Sequence, residues 1–155
     1  MANKMIALVQ RVHSAHVDVE NIRVGSIEKG LLVLLGITHS DTLETCDWVA
    51  QKLMTLRVFP DVEGKMNRSV ADVSGGMLIV SQFTLYGELQ KGTRPSFIKA
   101  ARPEYAEPLY NTLISNLRTR SAEHPDMHIE TGIFGAMMDV HLVNDGPVTL
   151  IIERD

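Results

Sequence analysis

The amino-acid sequence predicts an α+β fold: mostly antiparallel β-sheet, barrel-like in form, packed with two main helices in a single compact domain over residues 1–155. Strand patterning fills both ends of the chain, and two helical periods lie between and beside the strands. A length of 155 residues suits one core, and 45% apolar with 22% charged residues is a globular balance that excludes a disordered or collagen-like chain. Aromatic residues make up only 5%, so Leu, Val, Ile, Ala and Met must build that core.

Ile6, Leu8, Val9 and Val12, then Val17 and Val19, are interleaved with Gln10, Arg11 and Asp18, the pattern of a first strand with one face buried. Asn21 is placed to turn the chain, with Ile22–Ile27 returning as the second arm of a hairpin. Residues 31–38 (LLVLLGIT) are apolar at successive positions, so both faces are buried and the strand is central. Asp41 and Glu44 stand at capping-box spacing with Asp41 as the cap. Leu43, Cys46, Val49, Ala50, Leu53 and Leu56 follow at helical spacing, which predicts a helix over 42–57. Phe59-Pro60-Asp61 ends it, and Glu63-Gly64 marks a turn. After Gly75-Gly76 an apolar strand opens at Met77 and runs on through residue 85; residues 87–95 read as a loop. Pro103 begins a second helix, with Ala106, Leu109, Tyr110, Leu113, Ile114 and Leu117 as its buried stripe, and His124-Pro125 breaks it. Strands are predicted over 128–133, 136–143 and 148–152, with Asn144-Asp145-Gly146-Pro147 as the turn between the last two.

The longest unbroken apolar run, residues 31–35, is far too short to span a bilayer, and residues 1–5 carry one Lys but no apolar leader core. The sequence therefore reads as cytoplasmic, with no membrane partner. Cys46 is the lone cysteine, which excludes an internal disulfide; it is either a nucleophilic thiol or a small buried hydrophobe. A net charge of −4 argues against a general nucleic-acid coat protein, and DNA is not expected as a partner. Lys91, Arg94, Lys99 and Arg102 nevertheless lie in a stretch, 89–103, without a carboxylate. That stretch is either a patch for a few phosphates or a solvated loop.

The common catalytic signatures are absent: no G-x-S-x-G elbow, no Walker loop, no G-x-G-x-x-G and no H-E-x-x-H. The six histidines are scattered; His13 and His16, three apart on a strand, fall on opposite faces and do not share a metal. No metal and no cofactor are expected. An enzyme built from this chain has to rely on backbone dipoles, positioning and the substrate's own groups.

Two segments concentrate polar information. Ser81-Gln82-Phe83-Thr84 ends an otherwise apolar strand; as a strand, it puts Ser81 and Phe83 on one face and Gln82 and Thr84 on the other. Such groups need partners, in the protein or in a ligand, since an unpaired buried one costs about 1–3 kcal/mol. The second is Asn144-Asp145-Gly146-Pro147-Val148-Thr149. It is either a plain trans turn or, with a cis X-Pro bond, a place where two flanking carbonyls point the same way and could grip an ammonium group.

Together these segments resemble the two signature motifs of the D-aminoacyl-tRNA deacylases, also called D-tyrosyl-tRNA deacylases. The likeness covers nearly the whole chain. It includes Met5-Ile6-Ala7-Leu8-Val9-Gln10-Arg11-Val12, the strand Gly30-Leu31-Leu32-Val33-Leu34-Leu35-Gly36, Glu63-Gly64-Lys65-Met66-Asn67, Gly92-Thr93-Arg94-Pro95-Ser96-Phe97 and Thr131-Gly132-Ile133-Phe134-Gly135-Ala136. The resemblance implies a hydrolase that cleaves the ester of D-aminoacyl-tRNA, with some activity on glycyl-tRNA, and binds the acceptor end of the tRNA. It implies a homodimer in which a cis Gly146-Pro147 of one subunit enters the other's pocket, holds the substrate ammonium and leaves no room for an L side chain. Ser81, Gln82, Phe83 and Thr84 would line the floor of that pocket, Arg11 would brace the Gly-Pro element, Asn144 belongs to the binding motif, and Phe134 would sit near the mouth. It also implies that the 2′-hydroxyl of the terminal ribose assists water, with Thr84 as a positioning residue; a Thr hydroxyl with no adjacent base is a poor nucleophile. Departures are the five-residue head, Glu20-Asn21-Ile22-Arg23 at the first turn, and the stretch 86–90. Two other readings remain: a non-enzymatic RNA or nucleotide binder resting on the basic stretch, and a hydrolase of another ester with Thr84 or Cys46 as covalent nucleophile.

Overall fold

A computed structural model describes residues 4–154; residues 1–3 and 155, and with them most of the head discussed above, lie outside the described residues. β1 (Ile6–Val19) and β2 (Ile22–Ile27) form the predicted hairpin. It turns at Glu20 and Asn21, whose φ values of 51° and 65° are both positive. Two consecutive left-handed residues give the tight turn whose twist suits the flanking strands.

β3 (Gly30–Gly36) pairs antiparallel with the first half of β1 and is buried on both faces, as its unbroken apolar run requires. Leu31, Val33 and Leu35 point into one core cluster, Leu32 and Leu34 into a second. α1 (Leu43–Thr55) follows with Cys46, Val49, Ala50 and Leu53 fully buried. The cap is not the predicted one. Thr42 is the N-cap, and its N–H donates to the Thr45 hydroxyl at 3.1 Å. Asp41 is drawn inward instead: its carboxylate accepts from the backbone N–H of Met5 (2.7 Å) and of Thr38 (2.8 Å), tying the start of β1 to the loop before α1. β4 (Phe59–Pro60) and β5 (Met66–Arg68) make a small hairpin that the residue pattern alone does not identify as strands.

β6 (Gly76–Ser81) pairs with β3, and β7 (His128–Thr131) pairs with β6, both in parallel. These two joins carry helical crossovers, α1 for the first and α2 (Pro103–Ser121) for the second, as parallel neighbours need. α2 has Pro103 at its start, and its predicted stripe from Ala106 to Leu117 is the buried one. β1 pairs antiparallel with β2, β3 and β8 (Asp139–Glu153), so the sheet is mixed and mostly antiparallel. It curls until β2 lies against β7, nearly closing a barrel: the Ser26 N–H reaches the Glu130 carboxylate at 3.4 Å, and a Cβ on Gly25 would fall 2.5 Å from the Thr131 carbonyl oxygen.

β8 departs from the pattern expected of the C-terminal third. In place of two strands with a turn between them there is one strand, and both halves pair with β1 in the same direction. Val12 faces Asn144 and Gln10 faces Thr149, so β8 spends five residue steps where β1 spends two. Three residues' worth of chain is thrown out of the ladder as a wide bulge around Asp145-Gly146-Pro147. A second irregularity, on β1 between Val12 and Ser14, exchanges the faces of that strand. Ala7 and Val9 belong to the helix-side core, whereas Ala15 and Val17 belong to the second cluster with Val140 and Leu142 packed on it.

Candidate active site

β6 ends at Ser81, not at residue 85. The Gln82 N–H donates to the Leu35 carbonyl of β3 at 2.8 Å, and the chain then coils into a 3-10 turn over Phe83–Tyr86. Gly36 permits this: a Cβ there would lie 3.0 Å from the Leu85 Cβ, so the turn packs onto bare backbone. The expected strand alternation of Ser81 and Phe83 against Gln82 and Thr84 therefore does not exist. Within the turn, Leu85 N–H donates to Gln82 O (3.3 Å) and Gly87 N–H to Thr84 O (2.9 Å). The N–H groups of Phe83 and Thr84 have no acceptor among the described residues, as expected for the first donors of a helical turn. Gln82 Nε2 donates to Thr84 Oγ1 at 3.1 Å. Phe83 is exposed and meets Phe97 edge-on, with ring centroids 5.2 Å apart. No histidine or carboxylate is hydrogen-bonded to Thr84 among the described residues, so nothing there activates its hydroxyl.

The second segment is held from three sides. Asn144 closes the bulge on itself: its Oδ1 accepts from the Val148 N–H and its Nδ2 donates to Thr149 Oγ1, both at 2.9 Å. The Gly146–Pro147 peptide bond is cis, and Gly146 has φ +121°, where side-chain-bearing residues are rarely found. A Cβ on Gly146 would also lie 3.0 Å from an Arg11 terminal nitrogen. Arg11, only 11% exposed, donates from Nη1 to the Val58 carbonyl at 2.6 Å, and its Nε lies 3.1 Å from Asp145 Oδ2 in an ion pair whose N–H is not aimed at the oxygen. His13 Nε2 lies 3.4 Å from the other oxygen of Asp145. Arg11 therefore lies beside Gly146 and is paired with Asp145, a residue that is not among those singled out from sequence. The signal for Asp145 was its place between Asn144 and Gly146.

Phe134 packs on Tyr110 with ring centroids 5.6 Å apart. The Tyr110 hydroxyl donates to the Ile79 carbonyl at 2.9 Å, and the Gly132 N–H reaches the same oxygen at 3.2 Å. This fastens the segment after β7 to the end of β6, near Ser81. The structure thus sets Ser81, Gln82, Phe83 and Thr84 along the end of β6 and the turn that follows, with Phe134 linked to β6 through Tyr110 and the Ile79 carbonyl, and separately groups Arg11, Asn144, Gly146 and Pro147. Among the described residues, no hydrogen bond or ion pair joins the two groups within one chain.

Two alternatives lose ground. Cys46 is fully buried between the helices, its Sγ 3.3 Å from the Leu109 carbonyl, and burial pushes the thiol up to about 11. The basic stretch is partly neutralised by carboxylates just outside it: Lys99 pairs with Glu88 at 2.8 Å and Arg102 with Glu104 at 3.3 Å. Lys91 and Arg94 carry no ion pair among the described residues.

Comparison with known proteins places these features in a lineage. Residues 8–153 match the family described as D-Tyr-tRNA(Tyr) deacylase. The chain is 55% identical to the D-aminoacyl-tRNA deacylase of Halalkalibacterium halodurans, over 96% of this chain and 99% of the relative. It is 54% identical to the enzyme of that name from Thermus aquaticus, over 96% and 95%. Among solved structures, a protein called c-Myc DNA Unwinding Element Binding Protein aligns with a TM-score of 0.88 at 41% identity, over 97% of this chain and 99% of that one. A probable eukaryotic D-amino acid tRNA deacylase aligns with a TM-score of 0.82 at 16% identity, a likeness of fold alone, over 97% and 99%.

Proposed function

The chain belongs to the D-Tyr-tRNA(Tyr) deacylase family, a family of hydrolases, and from that premise we propose that it cleaves the ester of D-aminoacyl-tRNA to free D-amino acid and tRNA. The observation that carries the reading is the match along residues 8–153, which includes both polar segments. Water adds to the ester carbonyl, the ribose oxygen leaves with a proton, and the 2′-hydroxyl of the terminal ribose helps to move that proton. The absence of a base bonded to Thr84 supports this division of labour, leaving Thr84, with Gln82, to position the substrate. The free N–H groups of Phe83 and Thr84 are donors suited to the oxygen that becomes negative during addition.

Selectivity falls to the Gly146-Pro147 element. Its carbonyls take the substrate ammonium and its bulk excludes an L side chain, so glycyl-tRNA, with no side chain to exclude, is also cleaved. The element acts on a second copy of the chain, making the enzyme a homodimer. Two observations support this. Among the described residues no hydrogen bond or ion pair joins the two groups within one chain, and the region around β8 leaves large apolar residues exposed, among them Met137 (92%), Val143 and Ile151 (60%). Phe134 stands at the pocket mouth, and Lys91 and Arg94 are the cations available to the tRNA backbone. The working unit is the whole domain, residues 1–155, acting in the cytoplasm; among the described residues no helix is long and apolar enough to cross a membrane. The DNA binding that the name of one solved relative states is not carried over, because the net charge is −4 and half of the basic stretch is already paired.

The test is incubation with matched D- and L-aminoacyl-tRNA. Release of the D-amino acid with the L-ester spared is the expected result; equal hydrolysis of both, or of neither, overturns the proposal.

A further inference from the structure

On the outer face of the sheet the fold brings His141 of β8 beside His16 and Asp18 of β1, residues more than a hundred positions earlier in the sequence. His16 and His141 are direct cross-strand partners on β1 and β8, and the next pair on the same face is Asp18 and Asp139. Ala15, Val17, Val140 and Leu142 point to the core from these strands, so the intervening residues point outward together. The imidazoles are stacked, with centroids 4.3 Å apart and planes 13° from parallel. Asp18 Oδ2 lies 3.9 Å from His16 Nε2 and 3.6 Å from His141 Nε2, and the three candidate ligand atoms fall within 4.8 Å of one another.

We infer that His16, Asp18 and His141 form a binding site for a borderline transition-metal ion such as Zn2+ or Co2+, a staple between β1 and β8. A tetrahedral ion with bonds of about 2.0–2.1 Å needs its ligand atoms about 3.3–3.4 Å apart. The observed spacing exceeds that by about 0.2–0.3 Å for His141 and about 0.5–0.6 Å for His16, and His141, 53% exposed in its side chain, has to turn out of the stack so that both ring lone pairs converge on one ion. Two imidazoles and one carboxylate suit Zn2+, Co2+, Ni2+ or Cu2+; Mg2+ and Ca2+ prefer all-oxygen shells. A water, or Asp139 from directly across Asp18, completes the set. The competing cation is Arg23, whose Nε lies 3.9 Å from the other oxygen of Asp18. Residue spacing did not reveal the site, because His13 and His16 indeed go to different partners and the second ring arrives from a strand over a hundred residues away.

The experiment uses untagged full-length protein stripped with a chelator and titrated with Zn2+ by calorimetry and with Co2+ by visible absorption. The expected result is one ion per chain, ligand-field bands for Co2+, a raised Tm with Zn2+, and no response to Mg2+. His141→Ala and Asp18→Asn should each weaken Zn2+ binding by more than about a hundredfold, beyond the roughly 10–100-fold that loss of a supporting group costs, and should abolish the Tm rise. The metal-free Tm of His141→Ala should stay near that of the wild type, since its side chain is more than half exposed, whereas Asp18→Asn, at a partly buried carboxylate beside two histidines and Arg23, is read from the size of its Zn2+-dependent Tm rise. His128→Ala, an exposed histidine elsewhere on the sheet, should bind as the wild type does. No saturable binding by the wild type, or equal weakening by His128→Ala and His141→Ala, overturns the inference.

Discussion

Replacing Arg11 with Ala tests how the Gly-Pro element is held. The guanidinium is almost fully enclosed, bonds the Val58 carbonyl at 2.6 Å and lies 3.1 Å from Asp145. A hydrogen bond to a charged donor contributes about 1.5–3 kcal/mol. A half-buried, imperfectly aligned ion pair falls between the near-zero worth of a surface pair and the several kcal/mol lost on breaking a buried one, about 1–2 kcal/mol. Since the two share one side chain they do not add fully, and Arg11→Ala should destabilise by about 2–4 kcal/mol, or about 5–15 °C in Tm for a chain of this length. Denaturant unfolding measures the stability, and a double-mutant cycle with Asp145→Asn isolates the pair, with an expected coupling of about 1–2 kcal/mol. If that coupling positions residues 145–147, kcat/KM on D-aminoacyl-tRNA should fall by a factor of about 5–30 at temperatures where the variant is folded. A coupling indistinguishable from zero, or wild-type kcat/KM in a folded Arg11→Ala variant, refutes the reasoning.

Thr84→Ala should retain deacylase activity within about tenfold, because no base activates the hydroxyl; loss of several thousandfold, or a trapped acyl-Thr84, would restore it as nucleophile. Alkylating reagents should leave Cys46 unmodified in the native protein at pH 8, since its thiol is both buried and held near 11; rapid labelling without unfolding would contradict the burial. Asp41→Asn can accept only one of the two backbone N–H bonds now made and should lose about 1–3 kcal/mol in urea unfolding. Burial raises the Asp41 pKa above 3.8 against the pull of its hydrogen bonds to Thr38 and Met5, so the native state holds the proton longer than the unfolded chain and this group's contribution falls as pH rises through the folded-state value. The wild-type advantage over Asp41→Asn should therefore narrow from acid toward neutral pH, and a widening gap would reverse the sign. Gly30→Ala would place a Cβ 1.9 Å from the Gly76 carbonyl oxygen and should destabilise by at least about 2–3 kcal/mol by thermal melting, whereas Gly64→Ala meets no atom and suffers only its positive φ.

What could be read from the sequence was what the local period decides. The stripe from Ala106 to Leu117, the doubly buried β3 and the hairpin arm Ile22–Ile27 depend on which faces are apolar, and they stand as predicted. What escaped depended on partners distant in sequence. Asp41 has the residue type and spacing of a cap, yet Met5 claims its carboxylate from across the fold. Residues 82–85 look like more of β6, but β3 ends at Gly36 and supplies no further ladder. The residues Asn144-Asp145-Gly146-Pro147 carry genuine turn chemistry, but a turn ordinarily reverses a chain and this one returns it to the same neighbour. Both polar segments were legible as special; Asp145 as the link from Arg11 was not, since an ion pair between β1 and β8 is a product of register.

That register has a consequence for how the C-terminal segment can vary. Because β1 grips β8 on either side of the excursion, gaining or losing one residue between Asn144 and Thr149 has only two outcomes. Either the excursion swallows the change and the proline tip moves, or residues 149–153 slide by one and Ile152, now inward, is turned to water along with every second neighbour. The number of residues in that stretch is thus under a double lock, set at once by what the tip must reach and by which side of the final strand must stay dry.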